Sequence, residues 1–174
     1  MRFNSDQIQQ IGKEISSKVD GKTLFDEFSR ARYSTDASVY QIKPLGVVLP
    51  KDTNDVLSLM EYSQKNSVPL LARGGGSSQC GQTVGESVVL DYSKHQNKIL
   101  ELNVEEKYVW VQPGVVLDHL NAYLKPHGLW FPVDVSTSSR ATIGGMSANN
   151  SCGSRSLYYG NMVHNVLAIE AILD

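Results

Sequence analysis

The residues best suited to chemistry lie together at 73–82: Arg73-Gly74-Gly75-Gly76-Ser77-Ser78-Gln79-Cys80-Gly81-Gln82. A short apolar run, Leu70-Leu71-Ala72, stops at the arginine, and three glycines and two serines follow. Glycine takes positive φ freely and has no Cβ to hold a ligand away from the chain. Several in succession let backbone N–H groups converge on one anion. The plainer reading is a flexible turn between two strands, and the loop alone does not separate the two. No Lys-Ser/Thr follows the glycines, so this is not a Walker A motif. The glycines at 74, 76 and 81 also miss the G-x-G-x-x-G spacing of a dinucleotide fingerprint. Phosphate can still be held by the amides and the Ser77 and Ser78 hydroxyls. Arg73 would then neutralise charge, brace the loop or pair with a carboxylate.

A second stretch, 132–160, lacks the hydrophobic periodicity of a core element apart from a short helix expected at 142–148. A loop this long inside a compact domain usually has a use. Thr142-Ile143-Gly144-Gly145 would place a helix N-terminus, with free N–H groups, at a second anion position; a helix cap followed by tight packing is the alternative. Asp134, in Pro132-Val133-Asp134-Val135-Ser136, lies between the two stretches, and its simplest role is an Asx-type turn.

The remaining polar residues offer little. His95, His119, His127 and His164 are scattered, with His119 expected on a helix surface and His164 in a structural role. There is no Ser/His/Asp arrangement, no HExxH and no paired carboxylate, so the chain supplies no catalytic base of its own. Cys80 and Cys152 form no CxxC or Cys/His cluster, and read as free thiols filling tight loops. The net charge of −2, without a long basic run, argues against nucleic acid as a partner. The N-terminus lacks an apolar signal core, and no apolar run approaches about 18 residues, which makes cytoplasmic the default location.

The elements that must position these stretches follow from periodicity. Ile8, Ile11, Ile15 and Val19 mark an amphipathic helix over 5–19. Residues 22–43 read as a polar lead-in, with an edge strand at 38–42. Residues 46–50 and 68–72 are strands joined by a helix that opens at 51–55 and ends near 66, with Val56, Leu57, Leu59, Met60 and Tyr62 as its core stripe. Strand, helix, strand over so few residues is a βαβ unit with parallel strands. The glycine loop therefore leaves the carboxyl end of a parallel strand, where ligands bind in open α/β sheets. A strand at 87–91, a hairpin from 98–103 and 108–112, and a helix at 116–124 with Leu117, Leu120 and Leu124 inward come next. A final apolar strand is expected at 163–173. Two halves then meet near 92–97, with the two glycine-rich stretches facing each other.

Taken together, Arg73-Gly74-Gly75-Gly76-Ser77-Ser78 with Gly81-Gln82, Pro132-x-Asp134, and Thr142-Ile143-Gly144-Gly145-Met146-x-Ala148-Asn149-Asn150-x-x-Gly153-x-Arg155 with Tyr159-Gly160 resemble the FAD-binding domain of FAD-linked oxidases. This is the vanillyl-alcohol oxidase or p-cresol methylhydroxylase (PCMH) type. The branch most similar holds the D-lactate, glycolate and D-2-hydroxyglutarate dehydrogenases. The resemblance runs from about residue 40 to the end. It implies an α+β fold of two small α/β subdomains, about 40–93 and 94–174, with FAD between them and residues 1–39 as an N-terminal helix and lead-in.

It further implies that Gly74 to Ser78 take the pyrophosphate, aided by Arg73, Gly81 and Gln82. Pro132, Asp134, Ser136, Thr142, Ile143, Gly144 and Gly145 would line the pyrophosphate and flavin, and Asn150 and Gly153 would lie near the flavin ring or ribityl chain. Covalent members carry a flavin-bonding histidine in this loop. Here the place reads Gly76-Ser77-Ser78, which implies non-covalent FAD. The stretch 149–157 also resembles long members with iron–sulfur motifs nearer their C-termini. Family members continue with a further glycine-containing loop and a substrate domain, so the 174 residues read as a fragment inactive alone. The expected function is the FAD-binding part of a D-2-hydroxy acid dehydrogenase, serving a small-molecule substrate and an electron acceptor. The alternatives are a non-catalytic FAD or nucleotide module, and an NADPH-dependent enolpyruvyl-sugar reductase.

Overall fold

The computed structural model describes residues 3–173. Helix α1 (Ser5–Ser16) opens on a reciprocal cap, in which the Asn4 side chain accepts from the Gln7 amide and the Gln7 side chain from the Asn4 amide. It buries Ile8, Ile11 and Ile15 against a four-stranded sheet. Val19 lies beyond the helix end but still packs on the same core.

The sheet comprises β1 (Lys22–Leu24), β2 (Gly46–Leu49), β3 (Leu70–Arg73) and β4 (Val88–Asp91) in the order β1-β2-β4-β3. Strands β2, β4 and β3 are parallel, and β1 closes one edge antiparallel to β2. All four residues of β4 are buried, which suits the strand inserted between the two arms of the β2–α3–β3 crossover. Helix α3 (Thr53–Asn66) carries that crossover, capped by Asp52, whose carboxylate accepts from the Asn54 and Asp55 amides. Its core stripe is Val56, Leu59 and Tyr62, with Met60 partly covered. Leu57, expected in the stripe, is exposed, because it lies one position off the i, i+3 progression.

The reading of residues 22–43 as a polar lead-in with an edge strand at 38–42 does not hold. Residues 38–42 form no strand, only a single bridge between Thr35 and Gln41, and the true edge strand is β1. Three residues with one apolar side chain give no period-2 signal. A short helix, α2 (Glu27–Arg32), follows β1. Asp55, buried at the start of α3, accepts from the amides of Asp20 (2.7 Å), Gly21 (2.9 Å) and Lys51 (2.7 Å) and so ties the α1–β1 turn to the crossover.

The second half is built on the antiparallel hairpin β5 (Ile99–Asn103) and β6 (Tyr108–Val111), with an irregularity between Ile99 and Glu101. Helix α4 (Leu117–Leu124) turns Leu120 and Leu124 toward the hairpin. Leu117 packs instead with Val133, Ala141, Met146 and Met162 around α5 (Ile143–Ala148). Short helices α6 (Ser156–Tyr159) and α7 (Met162–Asn165) complete the set. The strand expected at 163–173 is absent: its start is α7, and residues 166–173 pair with no strand among the described residues. Leu167, Ile169 and Leu173 are exposed there, while Val166 and Ile172 reach the two cores. Apolar composition marks a segment that can become a strand; a strand also needs a neighbouring backbone edge. Among the described residues, no helix is long and apolar enough to cross a membrane.

One buried hydroxyl is isolated. Ser87 is 6% exposed, and its Oγ has no hydrogen-bond partner among the described residues. Replacing it by alanine removes an unsatisfied polar atom without a large cavity. We expect Ser87→Ala to stabilise the fold by up to about 1 kcal/mol. In thermal melting a clear fall in Tm would reveal a partner for the hydroxyl.

Candidate functional site

The glycine loop leaves the carboxyl end of β3 and runs directly against the second stretch. A Cβ on Gly74 would lie 2.1 Å from Thr142 Oγ1, and one on Gly75 would lie 2.2 Å from the Arg140 carbonyl oxygen. Only glycine lets the two backbones approach this closely. Between them opens a cleft of about 240 Å³. Its walls are Gly74 to Cys80, Gln82 and Thr83 on one side and Val135, Thr137, Ala141, Thr142, Gly145, Met146, Asn149 and Ser151 on the other. None of these side chains carries a formal charge.

The loop amides are the main polar resource of the cleft. The N–H groups of Gly75, Gly76, Ser77, Ser78 and Gln79 donate to no acceptor among the described residues. Five consecutive unpaired donors beside a cleft are an arrangement that an anion would satisfy. The Cys80 amide is different, because Ser78 Oγ accepts it at 3.1 Å. Ser78 Oγ also donates to Gln82 Oε1, and Gln82 Nε2 donates to Asn149 Oδ1 at 2.9 Å. A polar chain thus links the two glycine-rich stretches.

Arg73 does not line the cleft. Its guanidinium donates to the carbonyls of Thr35 (2.8 Å), Thr83 (3.1 Å) and Tyr33 (3.5 Å) and lies 5.3 Å over the Tyr33 ring. Of its three expected roles, bracing is the one seen. Gly76 sits at φ +64°, where a Cβ would also meet Arg73 Nη2 at 2.6 Å. Gly81, at φ +75°, lies outside the cleft wall against the Tyr40 ring. Both cysteines, expected to fill tight loops, are exposed, and Cys80 stands in the cleft wall.

The second stretch departs further from expectation. Thr142 does cap α5, accepting from the Gly145 amide at 3.4 Å, but the helix start is not a free anion site. The Ile143 amide donates to Val115 O (2.8 Å) and the Gly144 amide to Pro113 O (2.9 Å). The cause is the backbone at 113–116 running beside 142–144, with a Val116–Thr142 bridge. Gly144 is needed for that contact, since a Cβ would lie 2.6 Å from Pro113 Cβ.

Pro132, Asp134, Ser136, Ile143, Gly144, Asn150 and Gly153 all stand outside the cleft wall. Asp134 ties down the following loop: it accepts from Ser154 Oγ (2.7 Å) and the Arg155 amide (3.0 Å), with Arg155 Nε at 3.7 Å. The Arg155 amide, then the Ser154 hydroxyl, hold its carboxyl below the usual aspartate range. Gly153 backs directly onto it, with room for no Cβ. Asn150, at φ +44°, caps the start of α7 by accepting from the Val163 amide at 3.0 Å. His164 is structural, its Nδ1 accepting from the Asn161 amide.

Sequence reasoning missed Gln79, Cys80, Thr83, Val135, Thr137, Ala141, Met146, Asn149 and Ser151 as wall residues. Each adjoins a residue that was singled out. The stretches were legible, but not which neighbour in each faces inward. No group of three or more His, Cys, Asp or Glu side chains able to hold a metal occurs among the described residues.

A parallel sheet ending in a glycine nest, closed by a second glycine-rich stretch, is the arrangement of a nucleotide-cofactor domain. The chain belongs to the FAD binding domain family, whose model matches residues 44–174. A D-2-hydroxyglutarate dehydrogenase of Haemophilus influenzae is 43% identical over 157 residues, covering 88% of this chain and 15% of that protein. A mitochondrial D-lactate dehydrogenase (cytochrome) of Kluyveromyces lactis is 40% identical over 152 residues, covering 85% of this chain and 26% of that protein. The chain therefore spans only a minor part of these relatives. Among solved structures, p-cresol methylhydroxylase with substrate bound aligns at a TM-score of 0.69 and 18% identity, covering 86% of this chain and 31% of that one. The fold is thus the PCMH-type FAD-binding fold expected from the motifs.

Proposed function

We propose that the cleft holds the pyrophosphate of non-covalent FAD, and that the chain is the FAD-binding part of a D-2-hydroxy acid dehydrogenase. The observation that carries this is the run of five unpaired amides, Gly75 to Gln79, along an uncharged cleft wall. Two phosphates bring negative charge, and backbone donors can meet it without a lysine. The Ser77 hydroxyl adds a donor, Ser78 contributes its amide while its hydroxyl donates to Gln82 in the same wall, and Thr142 and Gly145 shape the opposite edge. Arg73, Gly81, Pro132, Asp134, Ser136, Ile143, Gly144, Asn150 and Gly153 support the site from behind or reach the cofactor beyond the pyrophosphate.

Bound FAD would supply the two-electron oxidation of a 2-hydroxy acid to the 2-oxo acid, accepting a hydride from the substrate Cα while the substrate hydroxyl proton passes to a general base. This chain's share is to bind and orient the cofactor. The 2-hydroxy acid substrates named for the relatives above support the substrate class. The subdomain boundaries at about 40–93 and 94–174 and a cytoplasmic location belong to the same proposal.

The test is a titration of the purified chain with FAD, followed by acid precipitation. We expect quenched flavin fluorescence on binding and yellow colour in the acid supernatant. Colour retained in the pellet would show a covalent bond and refute the non-covalent reading. No binding at all would refute the site. In the full-length protein, anaerobic bleaching of the flavin by D-2-hydroxyglutarate or D-lactate tests the substrate class, and bleaching by NADPH instead would favour the reductase.

A further inference from the structure

We infer that residues 33–40, ahead of the matched family region at 44–174, form a strap that positions the glycine loop for its ligand. The loop is held on its outer side by this segment. The Ala37 amide donates to Gly76 O at 3.1 Å. Thr83 Oγ1 donates to Asp36 Oδ2 at 3.0 Å, so the strap grips the loop's far end too. Thr35 and Tyr33 supply two of the three carbonyls that fix the Arg73 guanidinium. The Tyr40 ring lies against Gly81 so closely that a Cβ there would be 2.6 Å from Cδ2.

The strap is itself anchored. Tyr33 Oη donates to Asp91 Oδ2 at 2.6 Å, at the carboxyl end of β4, and both residues are buried. The Thr35–Gln41 bridge and the Ile42 amide on Ser34 O (2.9 Å) fold the segment back on itself. A glycine-rich loop loses much backbone entropy on ordering. Here the outward carbonyl of Gly76 is taken by the strap, while the amides of Gly75 to Gln79 are left unpaired. The strap therefore orders the loop before a ligand arrives, which lowers the cost of binding. Asp36 and Tyr40 are positioning residues, since neither lines the cleft.

The test compares the intact chain with Asp36→Ala and Tyr40→Ala. Without ligand, amide hydrogen exchange at Ala37, Cys80 and Val84, whose N–H groups donate to Gly76 O, Ser78 Oγ and Gly81 O, is expected to quicken about five- to tenfold in both. Tm should stay within about 3 °C of wild type, which shows that the change is local. FAD affinity should weaken about five- to tenfold, an arm that rests on the FAD proposal. If the wild-type chain takes up no FAD, that proposal fails while the exchange arm still decides the strap. Unchanged exchange at Ala37, Cys80 and Val84 in both variants, or exchange quickened evenly along the whole chain, would overturn it. Should Asp36→Ala not fold, Tyr40→Ala decides alone.

Discussion

Replacing Gly75 by alanine should weaken FAD binding about 10- to 100-fold. The added Cβ would overlap the Arg140 carbonyl oxygen at 2.2 Å, with the carbonyl carbon at 2.9 Å. Both are backbone atoms, so no side-chain rotation relieves the clash. The glycine loop or the 140–142 backbone must move, and the cleft lies between them. Overpacking of this kind costs about 1–3 kcal/mol, and each 1.4 kcal/mol is about tenfold in affinity. Gly85→Ala is the control. Its Cβ would meet Leu71 Cδ2 at 3.4 Å and Ser87 Oγ at 3.6 Å, ordinary contacts away from the cleft wall, so FAD affinity should hold within about twofold. Flavin fluorescence titration reads both. Equal affinities in the two variants would mean that the close approach at Gly75 does not shape the site.

The largest expected loss of stability follows Asp55→Ala. The carboxylate is buried and satisfies three backbone donors, from Asp20, Gly21 and Lys51. Truncation leaves these part-buried N–H groups without their acceptor and removes the tie between the α1–β1 turn and α3. A cost of about 3 kcal/mol is expected, given 1–3 kcal/mol for each stranded group and partial access of water. At about 2–4 °C per kcal/mol for a chain of this size, Tm should fall by roughly 6–12 °C. Asparagine is not expected to rescue it. Both carboxylate oxygens accept, Oδ1 from Asp20 and Oδ2 from Gly21 and Lys51, and an amide NH₂ would face a donor at one of these positions. A Tm within about 2 °C of wild type in thermal melting would show that solvent replaces the carboxylate at little cost.

The glycine loop was read correctly as a loop at the end of a parallel strand because two local signals agreed. Leu70-Leu71-Ala72 is apolar and short, and Gly74-Gly75-Gly76 cannot continue a strand well. The same agreement made β2, α3, β4, the hairpin and α4 legible. Where one signal stood alone, the reading slipped. The apolar run at 166–173 has strand composition but no partner among the described residues, and β1 has a partner but almost no composition signal. The motifs and the cleft wall fall on the same two stretches, yet Asp134 and Gly153 face each other across a structural tie and leave Val135 and Ser151 to the cleft wall.

The sequence by itself determined the chemistry available: amides freed by glycine, hydroxyls at Ser77 and Ser78, and no histidine in the loop to bond a flavin. Those are properties of residue type, and they hold wherever the chain runs. Tertiary structure decided which donors remain free. The α5 amides were claimed by the carbonyls of Pro113 and Val115, and Arg73 was claimed by Tyr33, Thr35 and Thr83. Those partners lie 28 and 31 residues away in α5's case and up to 40 in Arg73's, so only packing brings them together. The amides from Gly75 to Gln79 stayed unpaired because the segment at 33–40 takes the Gly76 carbonyl and the facing 140–142 backbone accepts from none of them, and that arrangement turned a glycine-rich turn into a candidate anion site.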